Sequence, residues 1–288
     1  MPPLWLHPEN AIILGDRGEG NGVMPMITFF KDIVHRRGQM KTSEVVFATC
    51  DAQIGYQSRR ITLGPEYDLV RAFLQSGLDG SGYSFHFDQL AVFIEPRIDS
   101  GFPDIVLAEF RPGFYDRWVD ARSELTSSEL KMLSLLYSLK AADFSRVRAA
   151  MRLSASSVAK SLELLYDAEL IERDRFARKW KPLPLTETFG IKRLIAVEAK
   201  VCNNYEVLSQ AALNRWFASE SYALTPNKPN AMFVERAKRA GVGMVSLTRQ
   251  KTFRRCVKSR RFALPSSYAS WQFNEWIGRR LSAERALT

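Results

Sequence analysis

Two apolar segments of strand character, far apart in the chain, constrain this sequence more than any other feature. Gly101-Phe102-Pro103-Asp104-Ile105-Val106-Leu107-Ala108-Glu109-Phe110 enters a strand through a Pro-Asp step. Leu194-Ile195-Ala196-Val197-Glu198-Ala199-Lys200-Val201 ends its strand in Glu-x-Lys. Side chains alternate across a strand, so Glu198 and Lys200 share one face and Ala199 takes the other. With the two strands as neighbours, Asp104, Glu198 and Lys200 converge on one spot. Two carboxylates there make an oxygen donor pair for a hard divalent cation, typically magnesium. An adjacent ammonium is placed to orient a water or to steady charge developing on a phosphate. The plainer alternative is that Asp104 caps a strand and Glu198 and Lys200 form a solvated ion pair.

The 288 residues, 46% of them hydrophobic, suffice for a large core, arranged as two domains or one elaborated domain. A formal net charge of +10 favours a polyanionic partner, nucleic acid first and an anionic membrane surface second. Cys50, Cys202 and Cys256 are scattered and form no CxxC, which argues against a zinc site or a disulfide framework. His7, His35 and His86 are equally dispersed, which argues against a His-based metal site or triad. With no basic-then-apolar leader and no apolar run of spanning length, the expected setting is cytoplasmic, without a membrane.

The opening residues 1–30 read as irregular, with Asp16–Gly22 a Gly-rich surface loop that lacks the Lys-Ser/Thr of a phosphate cradle. Glu44–Thr49 reads as a strand and Arg59–Leu63 as another. Pro65–Leu74 reads as a helix with Pro in its first turn and Leu69, Val70, Phe73 and Leu74 on one stripe, ended by Gly77, Gly80 and Gly82. Gln89–Glu95 is the next strand, and Glu95 at its end is within reach of the same cation. Thr126 and Glu129 stand at capping-box distance ahead of a helix. A second helix spans Phe144–Met151, and a third opens at Leu153-Ser154-Ala155-Ser156-Ser157. Beyond Glu-x-Lys come a helix over Tyr205–Phe217, a strand at Ser221–Pro226, a helix stopped by Gly241 and a final short strand to Leu247. From Arg249 the chain is rich in cations interleaved with aromatics. It reads either as a peripheral helix or as a phosphate-binding surface.

Pro103-Asp104 followed by Glu198-Ala199-Lys200 resembles the motif of the PD-(D/E)xK nuclease superfamily. The resemblance implies an α/β (α+β) fold with a restriction-endonuclease-like mixed central sheet flanked by helices. It implies Asp104, Glu198 and Lys200 as catalytic residues, with Asp104, Glu198 and the carbonyl of Ala199 on Mg2+, for which Mn2+ substitutes. Glu66, in the helix ahead of the sheet, and Gln210, in the helix after it, match secondary site positions of that superfamily. Asn214 stands where some members carry Tyr, and a first-turn Glu66 also suits the helix dipole with no catalysis. The activity implied is DNA endonuclease hydrolysis leaving 5′-phosphate ends, in bacterial DNA processing or defence against foreign DNA.

The superfamily joins its half-motifs by a hairpin, whereas here roughly ninety residues intervene, which calls for an insertion. The three helices and the basic run Arg173–Lys181 resemble a winged helix-turn-helix. That resemblance places Ser156, Ser157 and Lys160 at base edges and Arg175, Arg178 and Lys179 on phosphates. A winged helix also serves as a protein-docking module, and that reading stays open. The divisions expected are 1–120 and 184–248 as the two parts of the nuclease core, 121–183 as the inserted winged-helix domain, and 249–288 as a basic aromatic extension. The partner expected is DNA, with RNA, a homodimer and a protein partner left open. The rival function is a non-catalytic DNA-binding protein or a partner-dependent subunit.

Overall fold

The computed structural model describes residues 43–60, 62–77, 89–202, 205–250 and 252–287; the Gly-rich stretch Asp16–Gly22, with Gly80 and Gly82, lies outside them. In chain order come strand β1 (Ser43–Phe47), helix α1 (Pro65–Ala72) extended by a π-helical turn, and strands β2 (Gln89–Ile94) and β3 (Ile105–Phe110). Then follow helices α2 (Ser127–Leu139), α3 (Phe144–Met151) and α4 (Ala155–Asp167), strands β4 (Ile171–Asp174) and β5 (Lys179–Pro182), and the short helix α5 (Leu185–Thr188). The chain returns through β6 (Ile191–Ala199), α6 (Tyr205–Leu213), β7 (Glu220–Thr225), α7 (Ala231–Ala240), β8 (Gly243–Leu247), β9 (Phe253–Val257) and α8 (Tyr268–Ala286).

Seven strands form one mixed sheet in the order β1-β2-β3-β6-β7-β8-β9. β3 lies antiparallel to both β2 and β6, while β6, β7 and β8 run parallel. The strands are apolar because both sheet faces are covered. In β3, Ile105 and Leu107 pack beneath Leu69, Val70 and Phe73 of the α1 segment. Val106 and Ala108, on the opposite face, belong to the core that holds Trp271, Phe273 and Ile277 of α8. Further along the sheet, α6 and α7 bury Val207, Leu208, Phe233 and Ala237 against Ala223 and Met244.

Everything between Phe110 and Ile191 lies outside this sheet: two 3-10 turns, the helices α2, α3 and α4, the two-stranded β4–β5 hairpin and the short α5. Local chemistry sets their ends. The Thr126 hydroxyl accepts from the Ser128 amide and Glu129 Oε2 accepts from the Thr126 amide at 2.9 Å, a closed capping box. Glu129 also accepts from Ser161 Oγ at 2.6 Å, which ties α2 to α4. Asp143 caps α3 and Ser154 caps α4. The core beneath these helices is continuous with the core on the sheet, joined by Trp271, whose ring lies 5.2 Å from Tyr137 and 5.0 Å from Phe189.

Two sequence expectations change. Arg59–Leu63 does not form a strand among its described residues; the isolated bridge of Ser58 with Pro96 comes just before it. The Arg59 amide instead donates to the Glu95 carbonyl, and its side chain turns back onto Glu95. The segment 249–288 supplies edge strand β9 and helix α8, whose residues Ala269–Ile277 are buried with the single exception of the half-buried Gln272. Gly278 packs so tightly beneath Trp118 that a Cβ there would sit 2.1 Å from its ring. No described helix is long and apolar enough to cross a membrane.

Candidate active site

The register sets Ile105 opposite Val197, so Asp104, one residue ahead of β3, comes level with Glu198 on β6. Asp104 Oδ2 accepts a hydrogen bond from the Ala199 amide at 2.7 Å. A strand residue directs its N–H and C=O to the same side, so the Ala199 carbonyl also leaves the strand toward Asp104. The next amide, that of Lys200, donates the other way, to the Leu224 carbonyl on the β7 side. Ala199 itself packs in the core under α1, whereas Glu198 Oε1 accepts from Asn214 Nδ2 at 2.6 Å, just past the end of α6. Lys200 reaches across the strand ends to Glu66, Nζ to Oε2 3.1 Å. Proline in the first turn of α1 starts the helix at the place where Glu66 faces this edge.

Glu95 closes the other side. Its side chain pairs with Arg59, whose guanidinium also lies 4.0 Å from Asp104 Oδ1. Glu95 holds φ at +45°, a left-handed conformation that costs a non-glycine residue about 1 kcal/mol or more. Three contacts impose it: its amide donates to the Asp104 carbonyl, its carbonyl accepts from the Arg59 amide, and its carboxylate takes the Arg59 side chain. A cavity of about 270 Å³ opens here, lined by Arg59, Glu66, Tyr67, Glu95, Asp104 and Val201 among others.

Burial dominates the electrostatics. It pushes the Asp104 carboxyl up to about 6, with Glu95 and Glu66 adding to the rise against the Ala199 amide and Lys200. Burial first and the Asp104 charge second push Glu198 up to about 8, against the Asn214 bond and Lys200. Lys200 is raised as well, but for an amine this favours the charged form. Burial alone would lower it, but the bond and charge of Glu66, with Asp104 and Glu206, outweigh that and raise it, so it stays an ammonium at neutral pH. At neutral pH it is therefore a cation and a proton donor, not a base.

A stability prediction follows. Both carboxyls hold their protons more tightly folded than unfolded, where the usual values are about 4. That preference favours the fold below pH 4 and is lost as pH rises through about 6 and about 8. Without divalent cations, the melting temperature is expected to fall between pH 5 and pH 8.5, and Glu198→Gln to flatten the fall. An unchanged profile in Glu198→Gln would contradict this assignment.

The chain matches no protein-family model, no curated protein and no solved structure.

The structure thus brings together Asp104, Glu198, Ala199 and Lys200, with Glu66 and Glu95 at the rim. Gln210 is not part of this group by any side-chain bond; its Nε2 donates to Glu206 on its own helix at 3.5 Å, and its side-chain carbonyl is buried without a partner among the described residues. Among the described residues no cluster of three or more His, Cys, Asp or Glu is set to hold a metal. The donor set at this edge is two carboxylates and one backbone carbonyl.

Away from this edge, Ser156, Ser157 and Lys160 are exposed on α4, and Arg175, Arg178 and Lys179 are exposed on the hairpin. The Ser156 and Ser157 hydroxyls both bond Ser154 Oγ at the helix cap. Arg175 and Arg178 line a groove of about 630 Å³ with Ala159 and Glu163 of α4, so the hairpin and that helix face a common space. Sequence reasoning missed Arg59, read as a strand residue, and Asn214, noticed only as a departure from a motif. It also passed over Phe176, a fully exposed aromatic between the two hairpin strands. No periodic signal marks any of the three.

Proposed function

We propose that this protein is a metal-dependent nuclease of the PD-(D/E)xK kind, with a restriction-endonuclease-like core and a winged helix between its half-motifs. The observation that carries the reading is the meeting of Asp104 and Glu198 at one buried strand edge, with the Ala199 carbonyl beside them and a protonated Lys200 next in the chain. A largely buried carboxylate pair, whose nearest cations Arg59 and Lys200 are each shared with another glutamate, suits Mg2+, which is held by one or two carboxylates and otherwise keeps waters and substrate phosphate oxygens. Asp104, Glu198 and the Ala199 carbonyl would hold it, and Mn2+ would substitute. When bound, the cation supplies Lewis-acid stabilisation of the phosphate and lowers the pKa of a coordinated water.

The chain's own residues do the rest. The Ala199 amide and Asn214 fix the two carboxylates, so their oxygens need no rearrangement at the moment of reaction. Lys200, held by Glu66, orients the attacking water and faces the charge that develops on the phosphodiester. Arg59 holds Glu95 and Asp104 in register. The helix α4 and the β4–β5 hairpin supply the DNA-engaging surface, with Ser156, Ser157 and Lys160 toward bases and Arg175, Arg178 and Lys179 toward phosphates.

The test is cleavage of supercoiled plasmid, single-stranded DNA and RNA with Mg2+, with Mn2+ and with chelator. Metal-dependent cutting of DNA is expected. A salt-sensitive gel shift without any cutting would overturn the enzyme reading in favour of a binding protein or a partner-dependent subunit. Metal ligands must be deprotonated, so Mg2+ is expected to raise the melting temperature more at pH 8 than at pH 5.

A further inference from the structure

A second opening lies along the same sheet edge. Strands β6, β7 and β8 are parallel, so their C-terminal ends share one side of the sheet. Beyond the ends of β7 and β8 is a groove of about 930 Å³, walled by residues 226–229, the end of β8 and the start of β9. Its lining carries Lys228, Arg249, Arg254 and Arg255, and no Asp or Glu. Lys228, Arg249 and Arg254 are exposed, and among the described residues their side chains have no recorded hydrogen bond or ion pair. The neighbouring hydroxyls are already engaged: Ser246 with Cys256, and Thr248 with Thr252. Like charges gathered in one concavity repel each other and raise the local concentration of a polyanion.

The position matters as much as the charge. The Lys200 amide bonds the Leu224 carbonyl, so the end of β6 abuts the end of β7. Neighbouring strands lie about 4.8 Å apart, which puts the β8 and β9 walls of the groove, two and three strands over, about 10–15 Å from Lys200. At about 3.4 Å of axial rise per nucleotide, that span is three or four nucleotides.

Resting on the nuclease reading, we infer that this groove binds the phosphodiester backbone of the nucleic acid three or four nucleotides from the bond cut at Lys200. Lys228, Arg249 and Arg254 are its phosphate contacts. It extends the bound strand along the sheet edge, separately from the α4–hairpin surface.

The experiment is a salt titration of binding, with chelator present, using fluorescent duplex and single-stranded oligonucleotides. It compares wild type with Lys228→Ala/Arg249→Ala/Arg254→Ala. Each phosphate contact adds about 0.9 to the slope of log affinity against log salt for duplex, and about 0.7 for single strands. The triple variant is expected to lose about 2–3 from the slope, and each single variant about one. A charge-matched control, Arg117→Ala/Arg239→Ala/Lys258→Ala, is expected to lose less than about one. Equal slopes for wild type and the groove variant overturn the groove while leaving the nuclease reading intact. Wild type that binds no nucleic acid overturns the nuclease reading itself. Binding of phosphatidylserine vesicles, lost in the groove variant and unaccompanied by oligonucleotide binding, reassigns the groove to a membrane surface and overturns the proposal. Matching thermal melts establish that the variants are folded, and the single variants carry the test if the triple variant is not.

Discussion

Lys200→Ala is expected to slow metal-dependent cleavage of supercoiled plasmid by about 10²–10³-fold, the usual cost of removing one group aimed at developing charge. Its ammonium is held charged by Glu66, Asp104 and Glu206, so the loss is one of electrostatic stabilisation and water orientation, not of a base. The pH–rate profile of the remaining activity should therefore keep its shape. Binding to the same DNA should weaken by less than about tenfold, because a single cation is lost among several phosphate contacts. Asp104→Asn should remove cleavage at least as completely, since it takes a carboxylate charge from the proposed cation site even where its amide oxygen still accepts from the Ala199 amide. Glu66→Gln should be milder, because the lysine stays in place with a neutral partner. Full cutting by Lys200→Ala would sink the proposed site, whatever its affinity for DNA.

The largest expected effect on stability lies far from that edge. Arg122 Nη2 pairs with Glu275 Oε1 at 2.5 Å, with side chains only 6% and 1% exposed, and the same guanidinium donates to the Thr188 carbonyl. This knot joins the chain entering the three helices, the chain leaving them and α8. Asn274 extends it by accepting from the Gly190 amide and from Tyr115, and by donating to Glu275. Arg122→Ala is expected to cost about 3–5 kcal/mol, because it strands Glu275 without its partner. For a chain of this length that is a fall in melting temperature on the order of 10 °C. The double replacement Arg122→Met/Glu275→Leu should recover most of the loss, since a buried pair is costly to break and cheap to replace whole. If the double variant melts below Arg122→Ala, the knot stabilises the fold beyond its charge balance.

These two sites differ in how far they could be read from the chain. The strand character of 105–110 and 191–199, the Thr126–Glu129 capping box, the Ser154 cap and the Gly241 stop are consequences of side-chain period and of unsatisfied helix ends. Such signals are local and survive in sequence. The Pro-Asp and Glu-x-Lys pieces were legible for the same reason, but their adjacency was not, because eighty or so residues of other structure separate β3 from its neighbour β6. The partners that tune the site were invisible. Arg59 lies in a stretch whose apolar and β-branched residues suggest a strand, and Asn214 becomes a carboxylate's partner only when α6 folds back along β6.

The C-terminal helix makes the same point from the packing side. Its first half, residues 269–278, is buried almost without interruption, so it carries no stripe of period 3.6 by which a central helix could be told from a peripheral one. Its tryptophans, cations and Glu275 are the same letters that a solvated basic tail would contain. By itself, then, the sequence determined the local elements, their caps and the residues able to do chemistry, because those depend on neighbours within a few positions. Only the tertiary structure decided which strands meet, which carboxylates are driven to hold protons, and that the last helix stands at the centre. Pairing, burial and desolvation depend on atoms brought from far along the chain, and no local pattern encodes them.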